Sequence, residues 1–173
     1  MGAPEDFGNR LGEALEEVRA EIRAKVEEKH RLAEEARQRE GQAREYAYRF
    51  WHNTFRSRLD ETARKIPNAS VIKEDATEDK FSRGFTADIK GGQVEFQLTV
   101  TLRNDYHELL MQSTAFFYPE STGSNKPAGK SLHSGSESFL TDEFNEEEAT
   151  AWLEDELIQC AAKAIAIHEA MED

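Results

Sequence analysis

The stretch FTADIKGGQVEFQLTVTLR, residues 85–103, decides the fold class. Phe85, Ala87 and Ile89 alternate with Thr86 and Asp88. Val94, Phe96, Leu98, Val100 and Leu102 alternate with Glu95, Gln97, Thr99, Thr101 and Arg103. A period of two over this length marks half-buried strands. Between the runs lies Gly91-Gly92, a pair that permits positive φ in a tight turn. The two runs therefore form an antiparallel hairpin. A turn closing Lys90 on Gln93 sets Ile89 opposite Val94, Ala87 opposite Phe96, Phe85 opposite Leu98 and Phe81 opposite Leu102. Every apolar side chain then lies on one face, whereas a slip of one residue would split them between faces.

Working outward, Asn104-Asp105 is the next turn signal. A two-residue turn there opposes Val100 to Leu109, Leu98 to Met111 and Phe96 to Ser113, giving a third strand from Tyr106 to about Tyr118. The reverse face of that strand carries Leu110, Thr114, Phe116 and Tyr118, unusually apolar for a wet side. Leu110, Phe116 and Tyr118 form a candidate second contact surface, because an apolar strip of this kind marks either internal cover or a partner. Lys130 to Phe139 reads as a fourth strand. Val71-Ile72 reads as a short first strand or an ordered loop.

A helix closes the chain. Asn145 is a good N-cap with Glu148 three residues on, and Glu146, Glu147 and Glu148 suit the positive end of the helix dipole. Its inner stripe is Ala149, Leu153, Leu157, Cys160, Ala164, Ile167 and Met171.

Upstream of the sheet, about Asn9 to Ile66 is free of proline and rich in Glu, Arg, Lys, Ala and Gln. It reads as one long helix or two in succession. Leu11, Leu15, Val18 and Ile22 are spaced four, three and four, a heptad seam. The same register continues through Lys25, Lys29 and Leu32, so the seam is apolar for only two heptads. Glu21–Lys25, Glu27–Arg31, Glu35–Arg39, Glu40–Arg44 and Glu45–Arg49 place an acid four residues before a base, an arrangement that supports a solvated helix. Gly41 is the weak point, a possible kink and the border between a charged arm and the domain. Beyond it Ala47, Trp51, Phe55, Leu59, Ala63 and Ile66 form a core-facing stripe, which Pro67 ends.

The expectation is an α+β chain: a coiled-coil-like N-terminal helix, a three- to four-stranded antiparallel sheet, and a C-terminal helix packed on it as a two-layer sandwich. The division expected is a disordered segment 1–8, a helical arm 9–41 and a compact domain 42–173.

Charge narrows the function classes. The formal net charge is −13. Residues 1–66 hold 14 Lys/Arg against 14 Asp/Glu, so the excess acid lies beyond them, and residues 137–173 alone set 12 acids against Lys163. Such a surface repels a nucleic-acid backbone. Asp142, Glu143, Glu146, Glu147, Glu154 and Asp155 form an acidic patch suited to a basic protein. Arg44, Arg49, Arg56 and Arg58 interleave with aromatics, a pattern that can bind nucleic acid, but helical spacing turns most of those aromatics inward. The order α-β-β-β-α is also that of the double-stranded RNA-binding domain, yet here the closing helix is acidic where phosphate contact needs lysines.

Catalytic signals are weak. His30, His52, His107, His133 and His168 have no second ligand at zinc spacing. The acids at 142–148 lack the glycine of a calcium loop. Gly123 lies six residues before Gly129-Lys130-Ser131, one too many for a phosphate loop. Neither metal nor cofactor is expected, and no enzymatic activity. Cys160 excludes an internal disulfide. No secretory signal is visible and no window approaches the length of a membrane span, so the chain reads as cytoplasmic. The reading that remains is a non-enzymatic interaction or adaptor protein. It self-associates or grips a partner through Leu11, Leu15, Val18 and Ile22. The alternative is an acidic module, a chaperone-like or nucleic-acid-mimicking inhibitor, using the C-terminal charge.

Overall fold

A computed structural model describes residues 4–120 and 128–170. The elements are α1 (Pro4–Phe50), a π-helical turn (Trp51–Phe55), α2 (Arg56–Lys65), β1 (Ala69–Val71), β2 (Asp75–Ala76), β3 (Lys80–Ile89), β4 (Gly92–Arg103), β5 (Glu108–Pro119), β6 (Lys130–Leu140) and α3 (Glu146–Ala170). The chain divides into two compact units, Met1–Arg39 and Glu40–Asp173. Residues 121–127, between the expected third and fourth strands, and Met171 of the expected C-terminal stripe, lie outside the described residues.

The first unit is helical from Pro4, with Glu5 and Asp6 in the first turn of α1. Proline is well placed at a first helical position, where its missing N–H costs nothing and its φ is already set, and the two acids meet the positive end of the dipole. Every residue from Glu5 to Gln38 is exposed.

The second unit is a two-layer α+β sandwich. An antiparallel six-stranded sheet runs β1-β3-β4-β5-β6, with β2 also on the free edge of β3. The strand count exceeds the three or four expected because β1 and β2 are three and two residues long, too short for alternation to show. The inner sheet face presents Phe85, Phe96, Leu98, Met111 and their neighbours to Phe50, Trp51, Phe55, Leu59, Leu153 and Leu157, all buried.

Both hairpins keep the expected faces but differ in register by two residues. In the first, Gly91 alone takes the left-handed conformation, φ 86°. Lys90-Gly91 is the turn, and Phe85 pairs with Phe96 rather than Leu98. Gly92 is already in β4, where a Cβ would lie 2.2 Å from the Tyr118 carbonyl oxygen, so glycine is needed there for close approach. The second connection has four residues. Asn104, Asp105 and Tyr106 adopt φ of 52°, 51° and 67°, and Val100 pairs with Met111. A two-residue shift preserves inward and outward, which is why the pattern tolerated it.

The helical interruption falls at Trp51–Phe55 and not at Gly41, which lies within α1 with open space where a Cβ would be. The spacing of the core stripe explains the place. Residues repeating every four drift about 40° per step on a helix of 3.6 residues per turn. From Ala47 to Ala63 that would swing the stripe from the sheet. The π-type bond from Arg56 N–H to Trp51 O absorbs one residue and returns the phase by about 100°. Ala43, Ala47, Phe50, Trp51, Phe55, Leu59 and Ala63 are consequently all buried.

Candidate functional site

On α1, Leu11, Leu15, Val18 and Ile22 are each between 47% and 55% exposed, and Phe7, Val26 and Leu32 are exposed with them. Charges flank this seam and are paired along the helix itself. Arg19 meets Glu16 at 2.7 Å, Arg31 lies between Glu28 at 2.5 Å and Glu35, and Arg10 reaches Asp6 at 3.7 Å. The Arg31 guanidinium, by its hydrogen bond, holds the Glu28 carboxyl below the usual range. Of the five pairs expected from spacing, Glu40–Arg44 and Glu45–Arg49 form, whereas Arg31 takes Glu28 and Glu35 in place of Glu27. Lys25 and Lys29 make no ion pair among the described residues. The result is an apolar strip bordered by self-neutralised charge.

The proposed second surface is half-buried. Leu110, Phe116 and Tyr118 lie on the outer sheet face, with Phe116 and Tyr118 ring centroids 6.3 Å apart. Gly129 sits so close to Tyr118 that a Cβ would be 2.5 Å from its ring, so the chain covers that end of the strip itself.

The acidic patch is divided among local roles. Glu154 accepts from Arg58 Nε at 2.8 Å, and Asp142 stands 4.0 Å from His107. Asn145 caps α3, accepting from the backbone N–H groups of Glu147 and Glu148 at 3.0 and 3.2 Å. Glu146, Glu147 and Glu154 line a shallow depression of about 330 Å³, while Glu143 and Asp155 are exposed.

The arginines between residues 44 and 58 are held within the domain. Arg56 donates twice to Glu74, at 3.0 and 2.6 Å, and Arg83 bridges Glu74 and Asp60. Arg44 donates to Asp79, Glu78 and Tyr106 Oη at 3.1, 3.0 and 3.1 Å. Tyr106, whose backbone is left-handed, is anchored by its own donation to Asp79 and by the Thr141 hydroxyl on its carbonyl. All four arginines thus carry acidic partners in the same chain, which offsets the cationic stripe that a nucleic-acid surface would need.

One constellation escaped the sequence reading. Beneath α3, the Ser113 hydroxyl donates to Glu156 Oε2 at 2.5 Å, and His133 Nε2 contacts the same oxygen. Lys163 Nζ lies 3.3 Å from His133 Nδ1 and donates to the Leu132 carbonyl at 3.0 Å. Glu156 Oε2 thus gathers the Ser113 hydroxyl and the His133 ring at one oxygen, while Lys163 borders the other side of the ring. Gly135 makes room, since a Cβ there would lie 2.2 Å from the carboxylate. Burial, with Glu156 adding, pushes the neighbouring Cys160 thiol up to about 12. The signal was a carboxylate at 156 on a stripe with Leu153, Leu157 and Cys160, and a serine amid inward apolar positions of β5. The carboxylate sits between serine and histidine, accepting from both, and the Ser113 hydroxyl is fully buried. This is a satisfied polar clamp.

No group of three or more His, Cys, Asp or Glu side chains that could hold a metal ion occurs among the described residues. None of their helices is long and apolar enough to cross a membrane. Compared with known proteins, the chain matches no family model, no curated protein and no solved structure.

Proposed function

We propose that this is a non-enzymatic interaction protein that self-associates through the apolar seam of α1. The observation that carries the reading is the exposure of Leu11, Leu15, Val18 and Ile22 on one stripe of a helix with no buried residue between Glu5 and Gln38. An isolated helix gains little stability from propensity alone, and tertiary or quaternary burial of an apolar stripe is the usual remedy. Electrostatics favour this surface for a second copy. Residues 1–66 are neutral overall, while the remainder carries the whole −13 and repels itself. The acidic-module alternative is weaker, because Glu154 and Asp142 already face cationic or titratable groups of the same chain. As an adaptor in the cytoplasm, the chain would present its α+β unit in two copies.

The test is sedimentation equilibrium of the full chain beside a Leu15→Glu/Val18→Glu variant. These positions are exposed, so the fold tolerates the change. The expected result is a concentration-dependent dimer for the native chain and a monomer for the variant. A native chain that stays monomeric at high concentration, or a dimer indifferent to the substitutions, overturns the proposal.

A further inference from the structure

We infer that two copies meet antiparallel along α1, in the register that sets Leu11 against Ile22 and Leu15 against Val18 of the second copy. The inference rests on the self-association reading and adds the direction and pairing.

The spacing of the seam is palindromic. Steps of four, three and four read the same from either end, so one copy reversed meets another with all four apolar positions matched. The symmetry extends one layer further. Three residues before Leu11 stands Gly8, and three after Ile22 stands Lys25. Reversal therefore lays each Lys25 over the other copy's Gly8. Gly8 is a helix-interior glycine with nothing within 4 Å of where a Cβ would be, and so is Gly12 four residues on. Glycine costs a helix stability, and no contact among the described residues requires it at either position. A long side chain crossing from a second helix does require such a notch.

Charge points the same way. Reversed, Lys25 and Lys29 lie alongside the other copy's first turn, which holds Glu5 and Asp6. Both lysines lack an ion-pair partner among the described residues of their own chain. A parallel pair would instead stack Lys25 on Lys25, Lys29 on Lys29 and the acidic first turns on each other, with no favourable cross-pair on the seam. The reversed overlap of residues 8–25 spans about 27 Å at 1.5 Å per residue.

Disulfide trapping in the full chain with Cys160→Ala tests this. Leu11→Cys and Ile22→Cys are oxidised separately and as an equimolar mixture. Antiparallel pairing keeps identical positions about 16 Å apart along the axis, beyond the reach of a disulfide, whose Cα atoms lie about 4.4–6.8 Å apart. The expected result is a shift to the dimer band only in the mixture, with each single variant remaining monomeric. If each variant links to itself, the direction is wrong while self-association stands. If no disulfide forms and sedimentation shows monomers, both readings fall.

Discussion

Replacing Glu156 by alanine removes the acceptor that ties α3 to β5 and β6, and the geometry fixes what the loss should be. Two hydrogen bonds end on Oε2, from Ser113 and His133. Bonds to a charged partner contribute roughly 1.5–3 kcal/mol each. Against that, the variant no longer desolvates a carboxylate, which offsets part of the loss. The net destabilisation expected is about 3 kcal/mol. The same carboxylate occupies the space a side chain at 135 would need, 2.2 Å from its Cβ. Gly135→Ala alone should therefore cost about 2 kcal/mol through overpacking. In the Glu156→Ala background that cost should largely vanish, giving a coupling of about 2 kcal/mol. Urea denaturation followed by the fluorescence of the buried Trp51 measures all four corners of the cycle. Additivity within about 0.5 kcal/mol, or a Glu156→Ala loss below about 1 kcal/mol, would refute the clamp.

Other consequences follow from the same structure. Arg56, by its paired hydrogen bonds, holds Glu74 below the usual carboxylate range. Its contribution to stability is complete above about pH 4.3 and is lost as pH falls through the lowered folded value. Arg56→Gln should thus raise the midpoint of acid unfolding, read by circular dichroism. Cys160, pushed up to about 12 and buried, should react with a thiol reagent at neutral pH only as fast as the fold opens, and at full rate in denaturant. Gly41→Ala meets open space within α1 and should stabilise the helix by about 0.5–1 kcal/mol. Gly84→Ala would place a Cβ 2.0 Å from the Phe96 carbonyl oxygen and should prevent the native pairing of β3 with β4, seen as loss of soluble folded protein.

What could be read in the sequence divides along physical lines. Periodicity reports which face is buried, so the stripe from Ala47 to Ile66, the inward residues of β3, β4 and β5, and the exposed seam of α1 were all legible. It does not report register beyond parity, so both hairpins were placed two residues out. Turn chemistry decides that last step, through the single left-handed residue Gly91 and the left-handed run Asn104–Tyr106. β1 and β2 were too short to carry a pattern. The π-helical turn was implicit in a stripe spaced by fours, although Gly41 offered the more obvious weak point. The clamp was hidden for another reason. Glu156 is one acid among many on α3, and its partners Ser113 and His133 reach it only once β5, β6 and α3 have packed.

Sedimentation equilibrium of the intact chain over a range of concentrations reads self-association through the seam of α1 without any intermediary. The expected mass rises toward twice the 19.7 kDa of one chain and returns to the single-chain mass when Leu15 and Val18 become glutamate. A constant single-chain mass, or a dimer that survives both substitutions, would contradict it.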